Sequence, residues 1–148
     1  MDNKILDFLI TAKRNTYAGH GSEVTPFRPD AHDLKYQKDN LLYMDTYLGG
    51  KIFHGEEAIW QDNVPLWVMN YSGRVFDSSV FSGDFLKEAL YHVPKDMPYR
   101  GPKTFIKGDY IYTCKTSGDI NWYQGTEEIM YKDKVIYECL FSGGKVEL

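Results

Sequence analysis

The chain has 148 residues, of which 43% are hydrophobic and 16% aromatic, and it carries a net charge of −4. That length suits one domain with one sizeable core. The acidic balance excludes nucleic acid as an expected partner of this chain alone, because backbone binding needs a Lys/Arg surplus, and no apolar run is long enough to span a membrane.

Met1-Asp2-Asn3-Lys4 lacks the basic start and apolar middle of a signal peptide, so a cytoplasmic location is expected. Asp2 is placed to cap a first helix over about 3–14, with Ile5, Leu6, Leu9 and Ile10 on one apolar face. Tyr17-Ala18-Gly19-His20-Gly21 ends it, with the glycines supplying a left-handed exit. A loop with Pro26 and Pro29 follows, then a short strand over 33–37. Residues 41–48 alternate, with Leu42, Met44 and Thr46 on one face and Tyr43, Asp45 and Tyr47 on the other. Further strands are expected over about 51–61 and 66–71, the last with Trp67, Met69 and Tyr71 on a shared face. Ser82 caps a second helix over 83–92, with Phe85, Leu86, Ala89 and Leu90 inward and Pro94 as its stop.

Slid against itself by 70 positions, the chain places residues 38–74 on 108–144 without a gap. Seven pairs are identical: Asp39/Asp109, Thr46/Thr116, Gly55/Gly125, Glu57/Glu127, Ile59/Ile129, Ser72/Ser142 and Gly73/Gly143. Chance would give roughly two or three. The expected fold is therefore α+β: a tandem duplication of a helix plus a three-stranded antiparallel meander. Its halves, about 1–76 and 77–148, would be related by pseudo-twofold symmetry within the single domain 1–148. By the same correspondence Leu42, Met44 and Thr46 face inward, matching Tyr112, Cys114 and Thr116. Gly49-Gly50 and Ser117-Gly118-Asp119 form hairpin turns, and Ser72-Gly73 and Ser142-Gly143 turn the chain. Cys114 and Cys139 fall on Met44 and Met69 and read as buried reduced thiols.

Four groups could carry chemistry. Glu57 and Glu127 share a face with Ile59 and Ile129 and therefore point at the core. They form either a carboxylate pair at a cleft or two carboxylates held by backbone amides or a Lys/Arg. Arg28, His32 and Asp33 lie on a Pro-flanked loop suited to binding; the alternative is a local Arg28–Asp33 ion pair with His32 at the surface. Tyr99-Arg100, between prolines, could hold a carboxylate or phosphate, or simply stack at the surface. Trp60, Trp67, Asn70 and Trp122 complete the set, with Trp67 read as core and Asn70 as facing water or ligand. The four histidines lack zinc-ligand spacing, and no metal or cofactor is expected.

Taken together, Tyr17-Ala18-Gly19, Arg28-Pro29, His32-Asp33-Leu34, Tyr47-Leu48-Gly49-Gly50 and the segments 53–60, 67–73, 81–90 and 98–102 resemble a bacterial family of uncharacterised domains. Its members occur alone or behind a phage-repressor-type helix-turn-helix. The resemblance implies, by association, a sensor or effector-binding role and supplies no catalytic residues. The leading expectation is a small-molecule-binding domain with a cleft between the halves. The alternatives are a protein-interaction module or homodimer, and a small hydrolase or isomerase using Glu57 and Glu127.

Overall fold

A computed structural model describes residues 1–148. Helix α1 (Asn3–Asn15) starts where Asp2 Oδ1 accepts the Ile5 amide at 2.8 Å. Strands β1 (His32–Lys38), β2 (Leu41–Gly49), β3 (Ile52–Gln61) and β4 (Val64–Val75) follow, then α2 (Gly83–Tyr91), capped by Ser82. The second run is β5 (Thr104–Lys107), β6 (Tyr110–Asp119), β7 (Trp122–Tyr131) and β8 (Lys134–Lys145). Tight turns link the neighbours, and at two of them Asp62-Asn63 and Lys132-Asp133 take positive φ, as two-residue hairpin loops demand.

The expected pair of helix-plus-three-strand units is not what forms. All eight strands join in one antiparallel sheet, in the order β1-β2-β3-β4-β8-β7-β6-β5, with two short helices. Four strands follow each helix, β4 pairs directly with β8 from Trp67↔Lys145 to Val75↔Tyr137, and both helices pack into the same core. The fold is thus mostly sheet. Ser72-Gly73 and Ser142-Gly143 do not turn the chain but lie within β4 and β8, whose backbone ladder fuses what was read as two sheets. Gly143 is needed there for close approach: a Cβ would fall 2.0 Å from the Val68 carbonyl oxygen.

The buried sheet face carries Leu41 and Tyr43 of β2, Ile59 of β3, Trp67, Met69 and Tyr71 of β4, Tyr112 and Cys114 of β6, and Tyr137, Cys139 and Phe141 of β8. Phe8, Leu9 and Ala12 of α1 and Phe85, Leu86, Ala89 and Leu90 of α2 pack against it. The expected inward face of β2 is therefore reversed, while that of β6 is correct. The cause is one residue of register. Tyr43 pairs with Ile59 as Tyr112 pairs with Ile129, so β2 and β6 correspond at 69 positions rather than 70. A slip of one inverts every side chain on a strand. The second hairpin also turns later than expected, at Ile120-Asn121, and 117–119 stay in β6.

At the end of α1 the left-handed residue is His20, with φ 57°, not a glycine. Gly19 is instead required by space, since a Cβ would sit 1.7 Å from the Arg14 carbonyl oxygen. No helix is long and apolar enough to cross a membrane.

Candidate functional site

The core holds an ionic cluster. Glu127 on β7 is fully buried and accepts four hydrogen bonds. Arg100 Nε and Nη2 reach its Oε1 at 3.1 and 2.6 Å, Tyr137 reaches the same oxygen at 2.8 Å, and Tyr112 donates to Oε2 at 2.5 Å. Tyr112 in turn accepts the Gly101 amide at 2.8 Å, which ties the 98–102 segment to β6. Burial opposes the Arg100 charge, but Glu127 outweighs it and holds the guanidinium above its ordinary value. Arg100 also stacks over Tyr71, 5.2 Å from the ring centre.

Glu57 on β3 is bonded by the ammonium of Lys13, and Lys13 also donates to the Tyr99 carbonyl at 2.7 Å. Burial drives the Lys13 ammonium below its ordinary pKa against the opposing pull of Glu57. Lys13 follows Leu9 by one helical turn, so the apolar stripe of α1 delivers it to the core. Both glutamates are therefore held by a Lys or Arg, one of the two readings their sequence positions allowed.

The third carboxylate is Asp45 on β2, 4% exposed, and it belongs to none of the ion pairs. Tyr71 donates to its Oδ1 at 2.5 Å. Burial and the facing Glu57 push its carboxyl up to about 7, against the partial relief of the Tyr71 hydrogen bond and of the Lys13 and Arg100 charges nearby. The charge count adds to the burial: Lys13 and Arg100 are paired with Glu57 and Glu127, leaving the Asp45 charge in surplus.

Asp45 lines a cavity of about 240 Å³, shared with Arg100, Tyr17, Tyr47, Phe53, Tyr71 and Phe81. The exposed Gly49-Gly50 turn and His32, whose ring stacks on Tyr47 at 4.6 Å, also line the cavity. A separate narrow void of about 20 Å³ is lined by Asp45, Arg100, Glu57, Lys13 and Tyr43; it is large enough for one water. A larger open depression of about 620 Å³ lies on the other face of the sheet, lined by Asn70, Ser72, Gln124, Thr126 and Ser142. Its one buried ionisable residue is Tyr71, whose hydroxyl is committed to Asp45, so acid–base and charge chemistry concentrate in the aromatic cavity.

The remaining sequence candidates scatter. His32 borders the cavity and pairs with Glu23 at 2.6 Å. Asp33 is buried but accepts from Phe27 N and from Thr46 Oγ1, while Arg28 donates to Thr46; Arg28 and Asp33 are thus linked through a threonine, not paired. Tyr99 is buried against Tyr123 at 3.9 Å, so neither it nor Arg100 stacks at the surface. Trp60 is half-buried, and Asn70 is exposed on the outer face. Asp45, Tyr71 and Lys13 were not singled out from sequence. Asp45 falls on the inward face only once β2 is read in its true register, whereas Lys13 was visible as a charge on an apolar stripe.

Nothing among curated proteins or solved structures matches the chain. A family model does: a domain of unknown function, DUF5680, matches residues 45–146. That match runs from the cavity carboxylate through β8, and it covers most of the chain; the chain belongs to the DUF5680 family.

Proposed function

We propose that this chain is a small-molecule-binding domain whose ligand occupies the cavity around Asp45 and Arg100. One observation carries the reading: a buried carboxylate without an ion-pair partner opens into an aromatic-lined cavity of about 240 Å³. Buried surplus charge is costly and persists in a fold chiefly where something uses it. That volume suits a compact metabolite. The likeness to bacterial domains carried behind repressor-type helix-turn-helix segments supports an effector-sensing role by association.

A thermal-shift screen of a broad metabolite library tests this, with wild type beside Asp45→Asn and the cavity-filling Phe81→Trp. A ligand at 100 times its Kd adds about 2.7 kcal/mol. The expected result is a stabilising compound whose effect is lost in both variants. A library without any stabilising compound would overturn the reading.

A second reading draws on the same carboxyl. A group titrating near 7 in a cleft suits general acid–base catalysis, which makes Asp45 the candidate acid–base group. Glu57 and Glu127 do not suit that role, because each is committed to a cation. Turnover of a stabilising compound, abolished in Asp45→Asn, would favour this reading.

A further inference from the structure

We propose that the cavity takes a small organic monocation, a primary or quaternary ammonium compound, with ionised Asp45 as its counter-ion and the surrounding aromatic rings as its cage. The proposal rests on the binding reading above and names its ligand class.

The argument starts from charge. Within the buried cluster two cations face three carboxylates, and only Asp45 lacks a cation. The deficit is one positive charge, and it lies where the cluster meets the cavity. An anionic ligand would have to rely on Arg100, but Glu127 already neutralises Arg100 and takes two of its N–H groups. A second anion beside Asp45 and Glu57 would add repulsion. A cation removes the surplus instead.

The walls fit the same ligand. Tyr17, Tyr47, Phe53, Tyr71 and Phe81 line the cavity, and several meet edge to face: Tyr17–Tyr47 at 6.2 Å, Tyr47–Phe53 at 6.5 Å and Phe53–Tyr71 at 6.0 Å. Rings at steep mutual angles surround the space on several sides, and aromatic rings attract an ammonium group that comes over a face. The protein already uses its rings this way, with the Lys87 ammonium of α2 lying 4.8 Å over Tyr17 and Arg100 over Tyr71.

Binding is then linked to protons. The charged and titratable groups around Asp45 are Lys13 of α1, Tyr43 and Tyr47 of β2, Glu57 of β3, Tyr71 of β4 and Arg100, with Tyr17, His32, Lys87 and Glu127 beyond them. Burial, with Glu57, holds the Asp45 carboxyl at about 7, so a cation entering below that pH displaces a proton. Apparent affinity scales with the ionised fraction, so it falls about tenfold from pH 8 to pH 6.

The test is titration calorimetry with tetramethylammonium, choline and phenethylamine, against butyrate, benzoate and neutral benzyl alcohol. Wild type is measured at pH 6 and pH 8, and Asp45→Asn at pH 8 after its fold is checked by circular dichroism. Cations binding wild type, about tenfold weaker at pH 6, and at least tenfold weaker in Asp45→Asn, is the expected result. If Asp45→Asn fails to fold, the wild-type pH dependence decides alone. Carboxylates or the alcohol binding while the cations do not would overturn the ligand class and leave the cavity reading standing. Cations binding equally at both pH values, or equally to the variant, would overturn the class as well. No binding by any probe also overturns the class, and the library screen then decides whether the cavity reading falls with it.

Discussion

Asp45 and Glu57 are cross-strand partners in the β2–β3 ladder, and both carboxylates are buried. Like charges placed opposite one another repel, and burial sharpens the effect. Lys13 takes Glu57, so the cost settles on Asp45. At the corresponding step of β6–β7 the partner of Glu127 is Cys114, which carries no such charge. Of the three carboxylates Asp45, Glu57 and Glu127, only Asp45, which lacks a cation, lines the aromatic cavity.

Asp45→Asn should stabilise the protein above neutral pH. The Asp45 carboxyl lies at about 7 in the fold against an ordinary 3.8. Between those values the native state holds a proton that the unfolded chain has lost, so stability falls as pH rises through this window and levels off above it. At 1.36 kcal/mol per unit the full penalty is roughly 4 kcal/mol, an increase in Tm on the order of 10 °C at pH 8 for the variant. Near pH 4 the difference should vanish. Melting curves from pH 4 to 8 measure it; a constant gap across that range would refute the assignment.

Glu127→Gln should destabilise strongly, because it strands the buried Arg100 cation. Removing one partner of a buried pair costs about 3–5 kcal/mol. Adding Arg100→Met to that variant should recover part of the loss. Urea midpoints for the two variants, at unchanged m, give the comparison.

Gly143→Ala should loosen the centre of the sheet. Its methyl would meet the Val68 carbonyl at 2.0 Å and the Met69 Cα at 2.8 Å, both backbone atoms unable to swing aside. A cost of about 1–3 kcal/mol or more is expected. Gly83→Ala in α2 meets nothing within 4 Å and should be neutral or slightly stabilising. Equal effects of the two substitutions would contradict the packing described.

Both thiols should be inert in the native state. Cys114 and Cys139 are buried and free, and burial lifts each to about 12. The thiolate fraction at pH 8 is then about one in ten thousand. Labelling by a disulfide reagent should be slow in buffer and immediate in denaturant, with two thiols released.

Much of this arrangement was legible in the residues. Trp67, Met69 and Tyr71 alternate cleanly because β4 has one face in the core, and Asp2 and Ser82 announce both helix starts. Glu57, Glu127 and Arg100 drew notice because charges on inward-facing or rigid positions need partners. The Arg100–Glu127 pairing was not legible, since the two lie 27 positions apart with strands β5 and β6 between them. Asp45 was hidden by register: an ungapped reading turned its strand over, and an aspartate read as outward invites no question. β5 escaped because four residues with a single half-buried side chain carry no periodic signal.

The pairing of β4 with β8 also sets an order of events. During synthesis β4 emerges well before its neighbour, with about 60 residues between Val75 and Lys134 still to come. Through that interval its unpaired backbone is an open edge of twelve residues, the kind that recruits a second copy of itself. The sheet's midline is thus the last seam to close. A chain stalled after β7 would hold two unjoined four- and three-stranded pieces, each with a sticky border, and would be a natural client for a chaperone.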